Sequence, residues 1–177
     1  QIKRVSLEMG GKNPLIVMPD ADMDLVMQGV VWAAFGTTGQ RCTATSRLIV
    51  HKDVAAPLVA RIIERAQELR VGNGLHPETE MGPLVNEKQM QRVLGYIELG
   101  QQEGATLRCG GGRMTEGDLA HGWFVQPTVF TGVTPQMRIA REEIFGPVLS
   151  VIEVENFEEA IQVANDVAYG LSASIYT

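Results

Sequence analysis

The chain is expected to adopt an α/β fold, a largely parallel sheet flanked by helices, and three features of its 177 residues point there. Short apolar runs alternate with longer amphipathic stretches from one end to the other, the pattern of strand–helix–strand units. The apolar runs are continuous rather than alternating, as in Leu15-Ile16-Val17-Met18, which suits strands buried on both faces. Gly, Pro, Asn and Asp gather between these stretches, where turns and caps belong.

Taken in order, Leu15–Met18 reads as a strand, and Pro19-Asp20-Ala21-Asp22 supplies a turn and an N-cap. Met23, Val26, Met27, Val30, Val31 and Ala34 recur at helical spacing as far as Phe35. Gly36 and Gly39 bracket a Thr-rich loop, and Arg47 to His51 returns as a strand. Asp53 is the expected cap of a helix with Val54, Leu58, Ile62 and Leu69 on its face, stopped by Gly72 and Gly74. Asn86 caps a helix carrying Met90, Val93, Leu94 and Ile97, ended by Gly104. A short strand, Thr106 to Cys109, runs into Gly110-Gly111-Gly112, and Arg113 to Gly122 reads as an irregular loop. Phe124 to Val133 reads as extended, and Pro127 argues for an edge or irregular strand. Gly146-Pro147 precedes a strand from Val148 to Val154. Asn156 caps a last helix, Gly170 ends it, and Leu171 to Tyr176 reads as a final strand.

The composition, 45% hydrophobic and 20% charged, fits one domain over residues 1–177. The net charge of −6 argues against a nucleic-acid partner. No apolar stretch approaches the ~20 residues of a membrane helix, and no signal-peptide core is visible. Cys42 and Cys109 form no C-x-x-C pair and no metal cluster, so they read as reduced thiols of a cytoplasmic protein. The chain starts within an apolar run (Ile2, Val5, Leu7) and stops on a strand, so it is expected to be part of a longer polypeptide.

Three segments carry reactive groups. In Leu7-Glu8-Met9-Gly10-Gly11-Lys12, two glycines allow a sharp bend and close approach beside a carboxylate; the plainer reading is a turn with a solvated Glu8. In Phe35-Gly36-Thr37-Thr38-Gly39-Gln40-Arg41-Cys42-Thr43, a cysteine leaves a Gly-rich loop among polar neighbours, beside an arginine. That company suits a reactive thiol, although free cysteines also serve as small buried hydrophobes. In Arg141-Glu142-Glu143-Ile144-Phe145-Gly146-Pro147, a loop presents a carboxylate and an aromatic face; it reads equally as a helix end and turn.

Together these segments closely resemble the aldehyde dehydrogenase superfamily, over nearly the whole chain. The glutamate signature stands as Leu7-Glu8-Met9-Gly10-Gly11-Lys12 and the cysteine signature as Phe35 to Ser46. Glu142-Glu143-Ile144-Phe145-Gly146-Pro147-Val148 follows downstream, and Asn165 with Tyr169-Gly170-Leu171 matches a fourth run. Many members carry Asn at the position of Thr37, a departure that bears on sub-family only.

The resemblance implies that Cys42 attacks an aldehyde, that Glu8 is the base for hydrolysis of the resulting thioester, and that Glu143 and Phe145 hold the nicotinamide end of NAD or NADP. It places the side-chain amide of the oxyanion site upstream of Gln1. It also implies a small-molecule aldehyde substrate and a parent that forms a homodimer or homotetramer. The run Gln40 to Arg47 is similar to that of semialdehyde and non-phosphorylating glyceraldehyde-3-phosphate dehydrogenases, so Arg41, Thr43 and Ser46, with Arg47, are candidate substrate contacts. Arg47 opening a strand and Arg41 facing solvent is the alternative. No G-x-G-x-x-G follows a strand, so no tightly bound dinucleotide is expected on this chain alone. Two rivals stay open. A cysteine hydrolase or acyltransferase would pair Cys42 with His51, His76 or His121, and a non-catalytic scaffold would need neither Cys42 nor Glu8.

Overall fold

The computed structural model describes residues 2–177. Six strands form one sheet: β1 (Asn13–Val17), β2 (Thr45–His51), β3 (Thr106–Cys109), β4 (Thr128–Thr131), β5 (Val148–Val154) and β6 (Ser174–Tyr176). Their order is β3-β4-β5-β2-β1-β6, and only the β3–β4 pair is antiparallel. The helices are α1 (Met23–Phe35), α2 (Lys52–Glu68), α3 (Glu87–Gln102), α4 (Arg138–Arg141) and α5 (Phe157–Asn165). The expected α/β architecture is present.

The central strands divide their side chains between two cores, as the period of two along a strand requires. Leu15, Val17, Leu48, Val50, Leu149 and Val151 meet α1 and α2 on one face. Ile16, Ile49, Phe130 and Ile152 meet α3, α4 and α5 on the other. Both faces of the sheet are therefore covered, and that is why these strands read as continuous apolar runs.

The caps follow local chemistry. Asp22 Oδ1 accepts from the Asp24 and Leu25 amides, Asn86 Oδ1 from Gln89 and Asn156 Oδ1 from Glu159. Three expectations are corrected. The cap of α2 is His51, whose Nδ1 accepts from the Asp53 amide at 3.3 Å, and Asp53 lies in the first turn. β4 is an interior strand between β3 and β5; Pro127 stands just before it, so no ladder bond is lost. The stretch Arg113 to Gly122 contains a 3-10 turn, Gly117–His121. The segment from Ile2 to Met9 is exposed and forms no strand.

Candidate active site

The three segments singled out above meet at the amino-terminal ends of β1, β2 and β5. Ligands of open parallel sheets ordinarily sit at the carboxyl ends, so strand order alone would have pointed to the wrong edge.

Gly10 and Gly11 are the point of contact. The Gly11 amide donates to Glu143 Oε1 at 2.8 Å. A Cβ on Gly10 would lie 2.6 Å from Glu143 Oε2, and one on Gly11 would lie 2.3 Å from the carbonyl oxygen of Cys42. At Gly11 the neighbour is backbone and leaves no room for a side chain, whereas at Gly10 a Cβ would have to displace the Glu143 carboxylate.

Cys42 is exposed and lies in a turn closed by the Ala44 amide donating to Arg41 O at 2.9 Å. The loop before it bends through Thr38 and Gly39, both at positive φ. A β-branched residue there is unusual and needs outside support. Support comes from the 82–85 segment. Thr38 Oγ1 donates to Gly82 O, Gln40 Nε2 donates to Pro83 O, and Gln40 Oε1 accepts from the Val85 amide.

The Glu143–Phe145 loop is held by α3. Arg92 Nη2 donates to Glu143 O at 2.6 Å, and Gln89 Nε2 donates to both Ile144 O and Phe145 O at 2.9 Å. The Tyr96 hydroxyl donates to Glu142 Oε2 at 2.6 Å, and Arg138 pairs with the same carboxylate. Arg138 first, and then Tyr96, hold Glu142 well below the usual carboxylate range, at about 2. Phe145 adopts a φ of 62° and stays partly exposed.

Glu8 is exposed on the irregular N-terminal segment, and no hydrogen bond joins it to Cys42 among the described residues. Arg41 lies over Trp32, its Cζ 4.1 Å from the ring centroid. Thr43 is exposed, whereas the Ser46 hydroxyl oxygen is buried and has no hydrogen-bond partner among the described residues. Arg47 is 1% exposed and turned inward. Its Nε donates to Lys12 O, its Nη1 to Val163 O and its Nη2 to Ala164 O, each at 2.9 Å. It thus satisfies the carbonyls at the C-terminus of α5, where a cation is favoured. No histidine hydrogen-bonds Cys42 among the described residues; His51 is occupied as a helix cap.

Two neighbouring residues carry more than the sequence assigns them: Lys12 reads there only as shaping the glycine loop, and Asn13 has no role. Lys12 is 1% exposed, and its Nζ has no hydrogen-bond partner among the described residues. Burial, helped by the charge of Arg47, pulls its pKa down from 10.5 to about 7, against the pull of Glu143 and Glu142. Asn13, also buried, hydrogen-bonds the Cys42 turn. A polar residue ahead of a proline at the start of a buried strand was the available signal for it.

The profile of the aldehyde dehydrogenase family matches residues 1–177. The chain belongs to the aldehyde dehydrogenase family. It is 53% identical to the alpha-ketoglutarate semialdehyde dehydrogenase of Haloferax volcanii over 176 residues, which is 99% of the chain and 36% of that protein. It is 47% identical to the betaine aldehyde dehydrogenase of Mesorhizobium japonicum over its whole length, again 36% of the relative. The aldehyde dehydrogenase chain thus spans about a third of the length of these curated relatives. Among solved structures, HpcC of Thermus thermophilus superposes with a TM-score of 0.95 at 47% identity, over 99% of this chain and 35% of that one. The betaine aldehyde dehydrogenase of Staphylococcus aureus in complex with NAD+ superposes with a TM-score of 0.94 at 38% identity, over 96% and 34%.

A separate groove lies between α1 and α2, bordered by Met27, Trp32, Arg61 and Leu69, and neither Cys42 nor Glu143 borders it.

Proposed function

We propose that this chain carries the catalytic thiol of an NAD(P)-dependent aldehyde dehydrogenase that oxidises an aldehyde to a carboxylic acid. The observation that carries the reading is the wedge of Gly10 and Gly11 between the Glu143 carboxylate and the Cys42 carbonyl. It brings the glutamate, cysteine and Glu143 segments into one place, as a reaction shared between them needs.

Cys42 adds to the aldehyde carbon and gives a thiohemiacetal. The Cys42 amide has no hydrogen-bond partner among the described residues, so it is available to the alkoxide. Glu143, joined to the Gly11 amide, and Phe145, on the same loop fixed by α3, suit the ribose and the ring of a nicotinamide. The coenzyme, when bound, supplies the hydride acceptor. Cys42 is left as a thioester, and Glu8 activates the water that hydrolyses it. An exposed Glu8 on a segment without regular structure can approach the thioester once it has formed.

The relatives include semialdehyde and betaine aldehyde dehydrogenases. We favour a semialdehyde or another aldehyde with an anionic tail, with Arg41, Thr43 and Ser46 as its candidate contacts; glyceraldehyde 3-phosphate belongs to that class. Arg47 is committed to α5 and is not proposed as a contact. The activity is assigned to a polypeptide of the relatives' length, acting as a homodimer or homotetramer, with the dinucleotide gripped mainly outside these 177 residues. Submillimolar NAD+ affinity of this chain alone, measured by calorimetry, would contradict that assignment.

In the full-length protein, Cys42→Ser should abolish aldehyde oxidation. Glu8→Gln should slow thioester hydrolysis more than acylation in single-turnover experiments. Equal effects on the two steps would remove Glu8 from its role, and an active Cys42→Ser variant would overturn the reading.

A further inference from the structure

The start of β1 breaks the regular pairing with β2. Asn13 is opposite Thr45 but Pro14 is opposite Arg47, so Ser46 is passed over. Pro14 has no N–H to give to a neighbouring strand. The turn that carries Cys42 arrives at this irregular place with carbonyls at Cys42 and Ala44 to satisfy. Asn13 satisfies both. Its Nδ2 donates to Cys42 O at 2.7 Å and to Ala44 O at 2.9 Å, and its Oδ1 accepts from the Ser172 amide at 3.2 Å. Both amide hydrogens are used, and a flipped side chain would set an oxygen against two carbonyls. Asn13 is 3% exposed, so water cannot readily replace it.

We infer that Asn13 is a positioning residue for Cys42, a conclusion that rests on Cys42 being the nucleophile. With Cys42 O drawn inward to Asn13, the planar peptide turns the Thr43 N–H the opposite way. The Cys42 turn is thereby referenced to β1 and, through Ser172, to the segment that leads into β6. Gly11 lies beside the same carbonyl, so close that a Cβ there would be 2.3 Å from its oxygen.

The test is the rate of Cys42 alkylation by iodoacetamide on the chain, resolved by mass spectrometry. The buried Cys109 reports unfolding in the same sample. Asn13→Ala removes the clamp, Asn13→Asp keeps the shape but loses both donors, and Asn13→Ser retains a single donor. Asn73→Ala is the control, because Asn73 also orders a turn through its side chain, at the Leu75 amide. Loss of the clamp should slow Cys42 about tenfold, the scale of a misplaced reactive group, with Cys109 still protected. The Ser variant should fall between, and Asn73→Ala should match the wild type. In the full-length enzyme, kcat should drop with KM nearly unchanged. Cys42 rates that are unchanged or faster in the Asn13 variants, with Cys109 protected, would overturn the inference. If Asn13→Asp exposes Cys109, Asn13→Ser decides. The alkylation result is independent of whether Cys42→Ser abolishes oxidation, so the two readings can fail separately.

Discussion

Replacing Lys12 by Met keeps an unbranched side chain one atom shorter and removes the amine. In the native chain that amine is fully buried with no hydrogen-bond partner among the described residues, and burial brings its pKa from 10.5 to about 7. Unfolded, it keeps the ordinary value. Between pH 7 and 10.5 the unfolded state therefore holds a proton that the native state has released, and stability rises with pH across that window. Above the window both states are neutral, and below it both are charged, so the native state bears the whole cost of a buried ammonium. A pKa of about 7 in place of 10.5 corresponds to a cost on the order of 5 kcal/mol. Lys12→Met carries no such cost. It should be more stable than the wild type by several kcal/mol at about pH 6, and the advantage should fall to about 1 kcal/mol or less by about pH 10. Urea unfolding at intervals across that range, followed by tryptophan fluorescence, measures both curves. A stability difference that does not change with pH, or a Met variant that is weaker at the acid end, would refute the reasoning.

Three other outcomes follow from the same contacts. Arg47→Lys keeps a charge but cannot serve the carbonyls of Lys12, Val163 and Ala164 together, and should cost about 2–4 kcal/mol in urea unfolding. Gly39→Ala puts a side chain at a φ of +64° and a Cβ 2.0 Å from Gly146 O, so it should lose well over ~1 kcal/mol and lower the melting temperature. Arg92→Ala, on the surface of α3, should change global stability by about 1 kcal/mol or less, yet speed amide hydrogen exchange at residues 142–146.

What could be read from the sequence was what is decided locally. Asp22, Asn86 and Asn156 cap helices because each can reach amides two or three residues on, and that reach is written in the spacing. The buried strands announced themselves because two covered faces leave few polar positions. Strand order was not legible, since nothing local says that β5 lies beside β2 or that the reactive segments collect at the amino-terminal edge. Pro127 was misjudged because a proline one residue before a strand looks like one within it. Asp53 looked like the cap because aspartate is a favoured cap residue, whereas the helix starts earlier and His51 accepts from the Asp53 amide. The inward turn of Arg47 was hidden because its partners are backbone carbonyls more than 100 residues away at Val163 and Ala164.

Gln89, Arg92 and Tyr96 lie about one and two turns apart on α3, so a single face of that helix carries the loop of Glu143 and Phe145. The thiol, by contrast, is mounted on the sheet through Asn13. The proposed reactive centre is therefore split between two mountings that meet at a pair of glycines. A shift of α3 would carry the Glu143 loop with it and move that carboxylate relative to the Cys42 turn. Because Met90, Val93 and Ile97 of the same helix belong to one of the two cores, the position of the loop is coupled to the packing of that core and not to that of the other.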